Sequence, residues 1–79
     1  MTNIEKLNHI FCEVFSVEES ALNSEFDKCS VEGWDSVHQL SLIAEFEEAF
    51  DIMFDPEDIM EMTSYAKGKE LLKKYEVTL

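Results

Sequence analysis

From Asp35 to Asp51 the apolar side chains return every three or four residues, the period of an α-helix with one buried face. At about 100° per residue, Leu42, Ile43, Phe46, Ala49 and Phe50 gather on one arc, the face expected to meet a core. Ser36 opens this helix. Val37 and Ala44 fall outside the arc, beside Ser41 and Glu48, and are expected to face solvent or a partner. Glu47 lies almost directly below Ser36, roughly two to three turns down. A stripe of this width is stable only when another element covers it, so the rest of the chain must supply that cover.

The remaining elements read as helices too. Thr2-Asn3-Ile4-Glu5 has the form of a capping box, in which the Thr hydroxyl and the Glu carboxylate satisfy free N–H groups reciprocally. Ile4, Leu7, Phe11, Val14 and Phe15 follow at helical spacing, and the helix is expected to end near Ser16. Residues 17–34 carry no sustained period. Val17, Leu22 and Phe26 stand there as spaced apolar anchors, with a helical turn expected around Glu18–Leu22 and Gly33 closing the run. A connection this long in a small domain tends to be functional.

Asp55-Pro56-Glu57-Asp58 is a third start signal, with Asp55 able to cap and Pro56 suited to the first helical position. Ile59, Met60 and Met62 come next, and Thr63-Ser64 can cap a last helix bearing Tyr65, Gly68, Leu72 and Tyr75 on one face. Glycine costs about 1 kcal/mol relative to alanine inside a helix, so Gly68 on the buried stripe implies close helix–helix approach. The expected fold is all-α: a small four-helix bundle of three longer helices and one short one, with a long first loop. One domain occupies residues 1–79.

Charge narrows the function classes. Residues 1–66 hold sixteen acids against two lysines, a balance of −14, while residues 67–79 hold two acids and four lysines. Nucleic-acid binding requires a basic footprint that this distribution lacks. A negative field of this size steers a protein toward basic patches on other proteins. Hydrophobic residues make up 46% of the chain, enough to exclude disorder, and no apolar run approaches a membrane span. Met1-Thr2-Asn3-Ile4-Glu5 lacks the basic start of a signal peptide, so a cytoplasmic location is expected; separately, a monomer is expected. Cys12 and Cys29 have no metal-ligand spacing; one disulfide between them is conceivable, but Cys12 flanks the apolar stripe and reads as a small apolar thiol.

Ser36 is the candidate for chemistry, and two readings of it compete. Ser36-Val37-His38-Gln39 fits a capping box, which would consume the hydroxyl locally. Alternatively Asp35 caps the helix, and Ser36 is left exposed where free N–H groups and the helix dipole favour a phosphate. Hydrolysis by a serine nucleophile fits poorly. Gly-x-Ser-x-Gly is absent, and His38 lies about 200° around the helix from Ser36. A calcium loop with Gly33 at its sixth position would start at Lys28 and end at Gln39, neither of them the required ligand.

Trp34-Asp35-Ser36-Val37 resembles the Asp-Ser-Leu signature of acyl and peptidyl carrier proteins, whose serine bears 4′-phosphopantetheine. Leu42-Ile43-Ala44-Glu45-Phe46-Glu47-Glu48-Ala49-Phe50-Asp51-Ile52 is similar to that family's second helix and its exit. Length, charge, helix order and the long first loop agree along the whole chain. The resemblance implies that Ser36 receives 4′-phosphopantetheine covalently from coenzyme A, in a phosphopantetheinyl transferase, with Asp35 beside it. The arm's thiol would hold acyl groups as thioesters, loaded by an acyl or aminoacyl ligase or synthetase and consumed by an acyltransferase or synthase. The carrier itself would not be an enzyme. Basic patches on those partners would meet the second helix through Asp35, Val37, Ala44, Glu47 and Glu48.

Two positions set the chain apart within that family. Fatty-acid-synthesis carriers usually have acids where His38 and Ser41 stand here. Trp34 is more familiar from carriers of specialised, polysaccharide or aminoacyl pathways. The expectation is an acyl carrier of a specialised or polysaccharide-related pathway. An aminoacyl or peptidyl carrier and an acidic helical adaptor or inhibitor without a prosthetic group are the alternatives. Met60, Met62 and Phe46 could line a cleft for cargo, although methionine at helical spacing is more often plain core.

Overall fold

The computed structural model describes residues 2–79. Four α-helices follow one another: α1 Asn3–Phe15, α2 Ser36–Phe50, α3 Pro56–Glu61 and α4 Tyr65–Lys74, with a 3-10 turn at Glu19–Ala21 in the first loop. Among the described residues there is no strand, only an isolated bridge between Asp27 and Ser64. No helix in that range is long and apolar enough to cross a membrane.

Local chemistry sets most helix ends. The Thr2 side chain accepts from the Glu5 N–H at 3.2 Å, and the Glu5 carboxylate accepts from the Thr2 N–H at 3.2 Å, which completes the expected capping box. The helix stops where Ser16 turns left-handed, at φ 54°. Ser64 Oγ caps α4 through the Lys67 N–H at 3.0 Å. Pro56 starts α3 as expected, but the Asp55 side chain makes no cap hydrogen bond. Its backbone N–H is instead turned inward, donating to Tyr75 Oη at 2.9 Å.

The core is aromatic and centres on Phe11, which is fully buried. Edge-to-face contacts join it to Phe26, Phe46 and Tyr65, with centroids 5.9, 5.6 and 5.3 Å away. Each such pair adds about 0.5–1.5 kcal/mol beyond the area it buries. α1 contributes Leu7, Ile10 and Phe11, α2 contributes Leu42, Ile43 and Phe46, and α4 contributes Tyr65, Leu71 and Leu72. Ile10 therefore widens the α1 stripe beyond the residues read from spacing. Gly68 is buried, and a Cβ there would sit 3.2 Å from Phe11 Cζ and 3.4 Å from Met62 Sδ. The close approach inferred from its position is the contact between α4 and the Phe11 ring.

One packing expectation needs correction, and two alternatives left open by the sequence are decided. Ala49 is exposed rather than buried, because it lies at the edge of the arc and borders an open crevice shared with Asn3 and Lys6 of α1. Met62 and Phe46 are fully buried core residues, so neither lines an open cleft, whereas Met60 is 79% exposed. Cys12 and Cys29 are both free thiols, half-buried and exposed respectively.

Candidate functional site

The long loop delivers Ser36 to the surface from a rigid base. Phe26 and Trp34 are buried, and Val17, Leu22 and Val31 pack against the core beside them. Trp34 lies against Phe15 at 4.8 Å and Phe26 at 6.0 Å. The Lys28 N–H donates to the Thr63 carbonyl at 2.7 Å, and the Tyr65 N–H donates to the Phe26 carbonyl at 2.9 Å. These two bonds fasten the loop to the junction of α3 and α4. Trp34 was not expected as an anchor, since a lone aromatic outside a periodic stretch carries no directional signal.

Asp35 is the N-cap of α2. Its extended backbone, φ −109° and ψ −176°, lets Oδ1 accept from the His38 N–H at 2.9 Å. His38 Nδ1 donates to the same oxygen at 2.8 Å, and its ring stacks on Phe15 at 5.7 Å. The His38 backbone bond, then the ring bond, hold the Asp35 carboxyl below the usual carboxylate range. The anion is thus fixed at the positive end of the helix, where it is favoured. Gln39, the last residue of the Ser-x-x-Gln form, points elsewhere: its Nε2 donates to the Ile59 carbonyl at 2.7 Å. With the cap supplied by Asp35, Ser36 occupies the first helical position with its side chain exposed. The first-turn N–H groups leave partial positive charge beside that hydroxyl.

A groove of about 280 Å³ runs from Ser36 between α2 and α3, lined by Lys28, Asp35, Ser36, Gln39, Ile59, Met60 and Thr63. Lys28 is the one lysine of residues 7–66, and it sits on this groove. Its place could not be read from the sequence, because it depends on how the loop folds back.

The outward face of α2 carries Val37, 68% exposed, and Leu40, 63% exposed, followed by exposed Ala44 and Glu48. Leu40 was passed over in the sequence. The same helical step that places Val37 outward puts Leu40 about 40° from Ser36, clear of the buried arc. Glu47 departs from expectation. It is half-buried, and its Oε2 accepts from the Phe54 N–H at 3.0 Å. Its carbonyl also receives the N–H groups of Asp51 and Ile52 as the chain leaves α2 through a left-handed Asp51, φ 53°. Glu47 is a clasp for the helix exit, and Glu48 is the free carboxylate of the pair. Helical periodicity places a side chain around its own axis but does not say where the next loop will cross it.

No family model matches the chain, and no curated protein matches it.

Proposed function

We propose that the chain is a carrier domain, with Ser36 as the attachment point of 4′-phosphopantetheine and acyl thioesters as its cargo. The observation that carries this reading is the division of labour at the head of α2. Asp35 takes the capping role, and the adjacent Ser36 hydroxyl stays exposed at the first position of a 15-residue helix. A phosphodiester on Ser36 would be stabilised by the free N–H groups and dipole of that helix. Lys28, on the same groove, supplies a further positive charge. The residues present therefore fit the group, and the groove leading away from Ser36 gives the arm a surface to lie on.

In the loading step Ser36 Oγ attacks the phosphorus that bears the pantetheine in coenzyme A. A P–O bond forms to the serine, and the P–O bond to the bridging oxygen of the pyrophosphate breaks. Adenosine 3′,5′-bisphosphate leaves, and the hydroxyl proton passes to a base of the transferase. When attached, the arm supplies a thiol that holds an acyl or aminoacyl group. The rest of the domain's work is presentation. A tethered cargo reaches successive active sites at high effective concentration. Val37, Leu40 and Ala44 offer an apolar strip to the transferase, the loading ligase or synthetase, and the downstream acyltransferase or synthase. Asp35 and Glu48 offer charge to basic patches there. His38 and Ser41 make the α2 face less acidic than that of fatty-acid-synthesis carriers, in keeping with a specialised or polysaccharide-related pathway.

The protein purified from its native host tests this reading. Its intact mass should exceed that of the polypeptide by one phosphopantetheine, with further mass released by hydroxylamine, which cleaves thioesters. Unmodified polypeptide that also resists loading would leave the acidic adaptor as the better reading.

A further inference from the structure

The crease between α2 and α3, where anything attached to Ser36 first meets the protein, has an amide side chain across its floor. Gln39 spans it. Its Oε1 accepts from Trp34 Nε1, and its Nε2 donates to the Ile59 carbonyl at 2.7 Å. Behind Gln39 the interior is full: Leu42, Phe46 and Met62 are fully buried, and Phe46 lies edge-on to Phe11 at 5.6 Å. An alkyl chain entering from Ser36 would have to break both Gln39 bonds. The Trp34 N–H, on a side chain only 5% exposed, would then lose its partner, and the Ile59 carbonyl would keep only the Met62 N–H. An unsatisfied buried polar group is costly, and close-packed rings separate only with loss of contact. Outside the latch, the groove presents Ile59 and the exposed Met60, which can touch a group lying on the surface.

We infer that Gln39 is a specificity-determining latch that keeps the thioester cargo in the surface groove, so that the cargo is a short or polar acyl group rather than a long alkyl chain. This rests on the carrier reading of Ser36. Nothing in it depends on which partner loads the domain.

Trp34 is the only tryptophan and bonds directly to the latch, so it reports the event. A phosphopantetheinyl transferase would load the protein with acetyl- or dodecanoyl-coenzyme A, and mass spectrometry would verify each product. In the wild type the two acylated forms should melt within about 1 °C of each other and share one tryptophan emission spectrum. In Gln39→Ala the dodecanoyl form should melt at least about 5 °C above the acetyl form and shift its emission, since burying the chain stabilises the folded state. A wild-type protein that is stabilised by the longer chain and shifts its emission overturns the latch, and this comparison stands even if the variant folds poorly. A folded variant that behaves as the wild type removes Gln39 from the role. Failure of loading itself removes the premise and overturns the carrier reading with it.

Discussion

Asp58 is the charged side chain drawn furthest inward, with 1% exposure. Lys74 Nζ donates to Oδ1 at 2.8 Å, and the Tyr75 hydroxyl donates to Oδ2. Lys74 first, then Tyr75, hold the Asp58 carboxyl below the usual range, outweighing the burial that pushes it up. A carboxyl with a lowered folded-state pKa contributes stability above its unfolded value and loses it as pH falls through the folded one. Asp58→Asn should therefore be less stable than the wild type at neutral pH, with a gap that closes below about pH 4. The same bonds raise the values of Lys74 and Tyr75, whose contribution is complete below their unfolded values and fades at higher pH. Thermal melts of both proteins from acid to neutral pH measure the gap; a constant gap would deny the carboxylate its role. The charge of Asp58 was legible as a helix-start signal. Its partners were not, because they lie sixteen and seventeen residues away, at the last residue and the C-cap of α4.

Among elements, the tightest constraint is between α4 and α1 at Gly68. Alanine there would gain about 1 kcal/mol of helix propensity, but overpacking a closed core costs about 1–3 kcal/mol. Phe11, ringed by other aromatics, has no room to yield. Gly68→Ala should destabilise by about 1 kcal/mol net, lowering the melting temperature by about 4–8 °C. An unchanged or higher melting temperature would mean that the ring shifts freely. At the exit of α2, Glu47 and Glu48 should behave differently despite being neighbours. Glu47→Gln should cost about 1 kcal/mol, because the Phe54 N–H loses a charged acceptor. Glu48→Lys should leave the folding stability within about 0.5 kcal/mol of the wild type and slow transfer by a partner enzyme, less so as salt rises. Melts and transfer rates for both variants distinguish the two roles, and equal effects would merge them. The helix starts at Thr2, Asp35 and Ser64 were legible because a cap is decided within four residues. The clasp at Glu47 was not, since it depends on a loop crossing back over the helix.

Over the whole molecule, the lysines are concentrated on α4 and largely occupied there. Lys74 meets Asp58, Lys67 lies 3.5 Å from Glu70, and Lys69 sits 4.8 Å above the Tyr65 ring. The acidic excess of residues 1–66 is left largely to face solvent, so the melting temperature should rise from low to moderate salt as self-repulsion is screened. A flat or falling melting temperature would assign the charge no energetic role. The helix count, the order of helices and the exposed Ser36 were legible from periodicity and capping. Glu47, Lys28 and the Gln39 bridge were not, because long-range packing decides them. Carrier function would turn on the Ser36 hydroxyl, and mass spectrometry after incubation with coenzyme A and a broad-specificity phosphopantetheinyl transferase measures its reactivity directly. The wild type and a Ser41→Ala control should each gain one phosphopantetheine, mapped to Ser36, and Ser36→Ala should gain none. Modification that persists in Ser36→Ala, or a wild type left untouched by several transferases, would contradict the account.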